Sequence, residues 1–362
     1  MEWSSQQEEA LREVAAWLRR GTPQVFRLFG YAGTGKTTLA KHLAENIDGD
    51  VCFAAFTGKA ALVMRARGCE GARTLHSLIY RPRELDTEEP TFVLNGDSDA
   101  AKASLIVVDE CSMVDEELGR DLLSFNKPVL VLGDPAQLPP VKGGGFFTEA
   151  EPDAMLTEIH RQAADNPIVR LSMDVREGGA LRPGAYGESR VIRRADIDTE
   201  SVKNADQLLV GTNKTRRAYN RRMREILDFK SVTPEAGDKL VCLKNDRPKG
   251  LLNGSLWRTK TTANLRRGRL RMTVVPEEEQ GLKGQRISVV PQFFESDEEV
   301  PFSLRKNSDE FDYGYALTVH KAQGSQWDDV VLFDESFAFR EHRHRWLYTG
   351  VTRAAKRLTV VV

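Results

Sequence analysis

The sequence predicts an α/β protein built on parallel sheet. Short apolar, β-rich runs recur, each ending in polar or glycine-containing residues: VFRLF before Gly30, VCFAAF before Thr57, LIVV before Asp109, VLVL before Gly133 and LLV before Gly211. VVLF before Asp334 and LTVVV at the C-terminus complete the set. Helical periodicity lies between several of them, as in residues 37–47, where Leu39, Leu43 and Ile47 share one face. Alternating strands and helices imply crossover connections and hence parallel pairing. In such sheets ligands gather outside the carboxyl ends of the strands, so the residues ending each run are the candidates for chemistry.

A chain of 362 residues with 40% hydrophobic and 8% aromatic composition holds enough apolar material for two or more cores, which excludes a single small module, a disordered chain or a fibre. No apolar run approaches the ~20 residues needed to cross a bilayer. The segment MEWSSQQEEALREVAAW is acidic and amphipathic, unlike a signal peptide, so neither secretion nor membrane insertion is expected. Cys52, Cys69, Cys111 and Cys242 form no CxxC pair and mostly adjoin apolar residues, which points to buried free thiols and a cytoplasmic protein. His342 and His344, flanked by Arg343 and Arg345, lack a second ligand pair and read as a solvated basic face. The net charge of -1 gives no global pull on nucleic acid, but residues 201–270 carry 17 Lys+Arg against six Asp+Glu. Solvated surface is the plainer reading of such an excess, and a local basic groove is the alternative.

Gly30-Tyr31-Ala32-Gly33-Thr34-Gly35-Lys36-Thr37 satisfies GxxxxGK(S/T) between a strand-like and a helix-like run, the context that motif requires. Gly33, Thr34 and Gly35 let backbone N–H groups curl round phosphates at a helix N-terminus, next to Thr38. Lys36 neutralises β/γ oxygens and the Thr37 hydroxyl holds Mg²⁺. Asp109 and Glu110 end the LIVV run: Asp109 serves the metal, and Glu110 orients or deprotonates the attacking water. Ser4 and Gln7 have capping-box spacing at the first helix, which spacing alone favours as their role.

Taken in order, further motifs resemble the RecD-like group of superfamily 1 helicases. They are TGKAA from Thr57, TLH from Thr74, DECSMVD from Asp109, GDPAQLPPV from Gly133, LTEIHRQ from Leu156, TVHKAQGSQ from Thr318 and YTGVTRA from Tyr348. The resemblance implies roles that spacing does not assign. Gln7 becomes an adenine-reading residue, with or without the cap. Gln137 senses the γ-phosphate and couples it to DNA. Arg161 and Arg353 become donors to the charge developing on the γ-phosphoryl group, delivered across a cleft that ATP closes. Thr57, Lys59, Thr74, His76, Thr318, His320 and Lys321 line the strand path, where hydroxyls and cations suit phosphate contacts. Asn213 and Arg216, in LLVGTNKTRRAYN, match a further segment of the second motor domain.

The expected architecture is therefore two RecA-like P-loop motor domains with parallel sheets: residues 1–155, then 156–235 with 311–362. Residues 81–103 correspond to a pin insert, with Phe92 its central aromatic, either stacking on a base pair or folding back onto the protein. Residues 236–310 correspond to an SH3-like β-barrel insert. The implied function is an ATP- and Mg²⁺-dependent DNA helicase, a monomer acting on single-stranded DNA and single-strand/duplex junctions, with 5′→3′ movement by analogy. A translocase that unwinds poorly is the rival of the same chemistry. A P-loop small-molecule kinase, the rival of another class, would leave Glu110, Gln137 and Arg353 without roles.

Overall fold

The computed structural model describes residues 3–82, 92–140, 145–158, 166–246, 248–277, 284–296 and 298–362. By contact they form two units: described residues up to 181 with Phe339–Thr352, and Arg182–Ala338 with Arg353–Val362.

The first unit contains strands β1 (Val25–Gly30), β2 (Val51–Ala55), β3 (Arg73–Thr74), β4 (Tyr80–Pro82), β5 (Phe92–Leu94), β6 (Leu105–Asp109), β7 (Val129–Gly133) and β8 (Ala154–Leu156). Six of them form one parallel sheet in the order β3-β2-β6-β7-β1-β8. Strands β6 and β7 are almost wholly buried because both faces are covered, which is why they read as unbroken apolar runs. Ile106, Val108, Val129 and Val131 pack on one face with Leu118 and Leu122 of the helix Glu116–Leu123. Val107, Leu130 and Leu132 pack on the other with Ala10, Val14 and Trp17 of the helix Ser5–Arg20. The helix expected over 37–47 spans Lys36–Ala44; Leu39 and Leu43 are in the core, and Ile47 packs against it from beyond the helix end. The polar stretch after residue 80 contributes the antiparallel pair β4–β5.

The second unit contains β9 (Gly184–Tyr186), β10 (Ser189–Ile192), β11 (Gln207–Val210), β12 (Lys239–Cys242), β13 (Leu256–Thr259), β14 (Asn264–Arg266), β15 (Arg269–Pro276), β16 (Gln285–Val289), β17 (Phe311–Tyr313), β18 (Ala316–Thr318), β19 (Trp327–Phe333) and β20 (Ala354–Val361). One sheet runs β18-β11-β19-β20-β10-β9, parallel except for the β9–β10 hairpin. The other is antiparallel throughout, in the order β14-β15-β13-β12-β17 with β16 on the free edge of β15.

Two segments group differently from the limits drawn on the sequence. Phe311–Tyr313 pairs with β12, so the antiparallel sheet extends past 310; three residues of FDY alternation do not separate from the next strand by pattern. The described residues of 156–181, together with Phe339–Thr352, cluster with the first unit. The physical reason is that the helices Arg343–Val351 and Pro167–Arg176 pack on each other and are fastened to that unit by Tyr348 with Ala32 and Asp134, Thr349 with Leu138 and Arg176 over Tyr31, long-range pairings with no local signal.

Candidate functional site

The loop between β1 and the helix Lys36–Ala44 is shaped by two left-handed residues, Gly33 (φ 82°) and Gly35 (φ 81°), a region where side chains are strained. A Cβ on Gly30 would lie 2.6 Å from Thr34 Oγ1 and 2.9 Å from Leu156 Cβ, so only glycine fits where the loop leaves the sheet. The Lys36 ammonium donates to the carbonyls of Gly30 (2.6 Å) and Tyr31 (3.0 Å), which holds it over the loop.

The Thr37 hydroxyl donates to Asp109 Oδ2 at 2.9 Å, joining the first turn of that helix to the end of β6. The other Asp109 oxygen accepts from the Glu110 N–H at 2.8 Å. Glu110 is in the left-handed region (φ 55°, ψ 43°), a conformation that costs a non-glycine residue on the order of 1–3 kcal/mol. That turn directs the chain away from the strand immediately after the carboxylate pair. Thr37 and Asp109 present hard oxygen donors side by side, a set that suits Mg²⁺ completed by phosphate and water. Among the described residues no cluster of three or more His, Cys, Asp or Glu is placed to hold a metal by itself.

Gln7 makes the capping box: its side-chain oxygen accepts from the Ser4 N–H, and its N–H donates to Ser4 Oγ. Its amide also donates to the Thr34 carbonyl at 3.0 Å, so the first helix is fastened to the glycine-bearing loop. Gln137 lies in the turn after β7, with its side-chain Oε1 buried and lacking a hydrogen-bond partner among the described residues.

Several residues at this site carried no separate role in the sequence. The Tyr348 hydroxyl donates to Asp134 Oδ2 (2.6 Å) and accepts from the Ala32 N–H of the loop (3.1 Å). Thr349 Oγ1 accepts from the Leu138 N–H at 3.0 Å. Two successive hydroxyls of one helix therefore bracket Gln137 from positions 134 and 138. The motif YTGVTRA contained both residues, but nothing in it indicated their partners. Arg67 donates to Thr37 Oγ1 at 3.3 Å, and the Arg176 guanidinium lies 3.7 Å from the centre of the Tyr31 ring. Both depend on long-range packing that leaves no local pattern.

The residues expected along the strand path lie at the carboxyl ends of strands, unit by unit. In the first unit Thr57 caps the helix Gly58–Ala66 and Thr74 caps the helix Leu75–Ile79, each hydroxyl accepting a backbone N–H. Lys59 is half-buried and His76 is exposed. In the second unit Thr318 ends β18, whose neighbour β11 leads to Asn213; Lys321 is exposed and His320 half-buried. Asn213 Oδ1 accepts from Arg216, which also forms an ion pair with Asp312. Arg353 is buried and donates to the Ser325 carbonyl at 3.1 Å. Phe92 is 60% exposed and does not fold back onto the protein. Arg161 lies outside the described residues. All four cysteines are buried and unpaired, and burial raises their thiols, Cys69 to about 11 and Cys242 to about 12.

Fold and site together define a P-loop protein with a parallel-sheet, RecA-like helicase core. The chain belongs to the family whose model is described as an AAA domain, which matches residues 2–196, and a UvrD-like helicase C-terminal domain model matches residues 313–361. The resemblance to RecD-like superfamily 1 helicases holds in its relatives. The chain is 29% identical to the ATP-dependent RecD2 DNA helicase of Deinococcus radiodurans, over 91% of this chain and 46% of that one. It is 33% identical to the ATP-dependent DNA helicase dda of Enterobacteria phage T4, over 41% of this chain and 37% of that one. It thus spans less than half the length of these relatives. Among solved structures, the Pif1 helicase from Bacteroides in complex with ADP-AlF3 and ssDNA matches with a TM-score of 0.58 at 17% identity, over 99% of this chain and 92% of that one. The Pif1 helicase from Candida albicans matches with a TM-score of 0.58 at 18% identity, over 100% and 94%.

Proposed function

We propose that this chain is an ATP-dependent DNA helicase motor that moves 5′→3′ on single-stranded DNA and separates duplex at single-strand/duplex junctions. The observation that carries the reading is the hydrogen bond from Thr37 to Asp109 beneath a lysine-bearing phosphate loop, with Glu110 the next residue along, in a left-handed turn. Thr37 and Asp109 would hold Mg²⁺, which supplies charge neutralisation on the β/γ phosphates. Glu110 orients and deprotonates water, Lys36 binds the phosphate oxygens, and Gln7 reads the base. Gln137, with its unpartnered amide oxygen, is suited to respond to the γ-phosphate. The names of the relatives support DNA as the track, and the resemblance supports transition-state roles for Arg161 and Arg353 and the polarity. The parallel sheets support two motor domains, the β4–β5 hairpin a pin bearing Phe92, and the antiparallel sheet an SH3-like barrel. Buried, unpaired cysteines favour the cytoplasm. A single copy of the chain carries the proposed machinery, so we assign a monomer.

Strand release from 5′- and 3′-tailed duplexes of DNA tests the reading. Release from the 5′-tailed duplex alone is expected, and Lys36→Ala should abolish ATP turnover while keeping single-strand binding. Turnover preserved in Lys36→Ala would reject the phosphate assignment. The short β4–β5 strands favour one second reading, a translocase with weak unwinding, which would consume ATP on single strands without releasing the partner.

A further inference from the structure

The lysine and arginine excess in residues 201–270 does not all belong to the site above. Its last part folds as a hairpin, β14–β15, turned by Arg267 (φ 52°) and Gly268 (φ 74°), the two left-handed positions of a tight turn. Strand β15 lies between β14 and β16. Cross-strand partners share a face, and the register pairs Arg266 with Arg269, Asn264 with Arg271, Thr273 with Arg286 and Arg271 with Ser288. Leu270, Met272, Val274, Ile287 and Val289, the alternate residues, point into the core. The opposite face therefore presents Arg266, Arg271 and Arg286 to solvent. Those three guanidinium groups have no carboxylate partner among the described residues. By contrast, Lys249, at the margin of the same face, is paired with Asp246 and Asp309. The three arginines line a cleft of about 550 Å³ together with Asn264, Thr273 and Ser288.

We propose that this face of the antiparallel sheet is a second nucleic-acid contact, binding the phosphate backbone of duplex DNA. Unpaired cations flanked by hydroxyl and amide groups are the chemistry that holds phosphates without reading bases. Single strands are gripped by aromatic stacking platforms as well as by charge. Among its described residues this face exposes no aromatic side chain, and the exposed Leu265, paired with Leu270, belongs to the other face. A cation set without a stacking surface suits a duplex, whose bases are already stacked. The proposal rests on the helicase reading for the presence of DNA, and it assigns the duplex side of a junction to a surface separate from the nucleotide site.

The test is the variant Arg266→Ala/Arg271→Ala/Arg286→Ala in the full chain, with binding to a blunt duplex and to a single-stranded oligonucleotide measured by anisotropy across a salt series. All three positions are exposed, so folding should be unaffected, and ATP turnover stimulated by a short single strand serves as the internal control. The expected result is roughly tenfold weaker duplex binding and a salt dependence shallower by about 2.7 in log–log slope, ~0.9 for each phosphate no longer neutralised. Single-strand binding and stimulated turnover should stay at the parental level. Unchanged duplex affinity and slope would overturn the proposal, as would an equal loss on single strands. Loss of polyglutamate binding without loss of duplex binding would assign the face to an acidic protein and would also overturn it. Absence of stimulated turnover in the parent chain would instead reject the helicase reading, whatever the duplex result.

Discussion

The Tyr348 hydroxyl serves two partners at once, accepting from the loop N–H of Ala32 and donating to the carboxylate of Asp134. Burial, with the Asp134 charge beside it, raises its phenol far above the ordinary tyrosine range, so it remains a donor at any physiological pH. Together with Thr349 it fixes both ends of the turn that bears Gln137. Tyr348→Phe keeps the ring and removes the bridge, taking one donor from the buried Asp134 carboxylate and the acceptor from the Ala32 N–H. The expected stability loss is about 1–3 kcal/mol in urea unfolding. The positioning role predicts in addition a fall in kcat with little change in the KM for ATP. A parental kcat in Tyr348→Phe would confine the hydroxyl to stability.

At the scale of elements, the hairpin β4–β5 carries its large aromatic outward. Phe92 contributes little to the core because most of its surface is in water, and Phe92→Ala should change stability by no more than about 0.5 kcal/mol. Its cost should appear in function: unwinding of a tailed duplex is expected to fall more than translocation along a single strand. Equal rates in both assays would remove Phe92 from strand separation. The helices after β2 and β3 show one side chain meeting two demands. Thr57 and Thr74 close their helices with their hydroxyls at the carboxyl ends of strands, where a hydroxyl can also serve a phosphate.

At the scale of the whole molecule, the second unit is held together by an ion pair removed from water. Arg224, on the helix Asn213–Ile226, makes two 3.0 Å hydrogen bonds to Asp238 just ahead of β12. Asp238 also accepts from Tyr315 at 2.9 Å, and the Arg224 guanidinium lies 4.4 Å from the centre of the Tyr313 ring. The cluster ties the helix of the parallel sheet to the start of the antiparallel one. Asp238→Asn leaves the buried Arg224 only the longer pair with Glu235 at 3.6 Å, so it should cost about 3 kcal/mol, the low end for a broken buried pair, read from thermal or denaturant unfolding. A loss below about 1 kcal/mol, the range of exposed pairs, would show that water reaches Arg224.

Local chemistry made the candidate nucleotide site legible as a cluster: a glycine loop, a lysine, a threonine and a strand-ending acidic pair occupy short stretches whose spacing is enforced by the backbone. The buried strands were equally legible, since β6 and β7 owe their apolar runs to cover on both faces. The sequence left Gln7 two roles, a cap and a reader of adenine; folding shows the cap and adds a bond to Thr34 that no local pattern announced. What had no local imprint is every partnership between distant segments. Tyr348 with Asp134, Arg67 with Thr37, Arg224 with Asp238 and the pairing of Phe311–Tyr313 with β12 arise only when long loops close. Residue type and short-range order are written along the chain, whereas the choice of a distant partner is made by packing, which satisfies many segments at once.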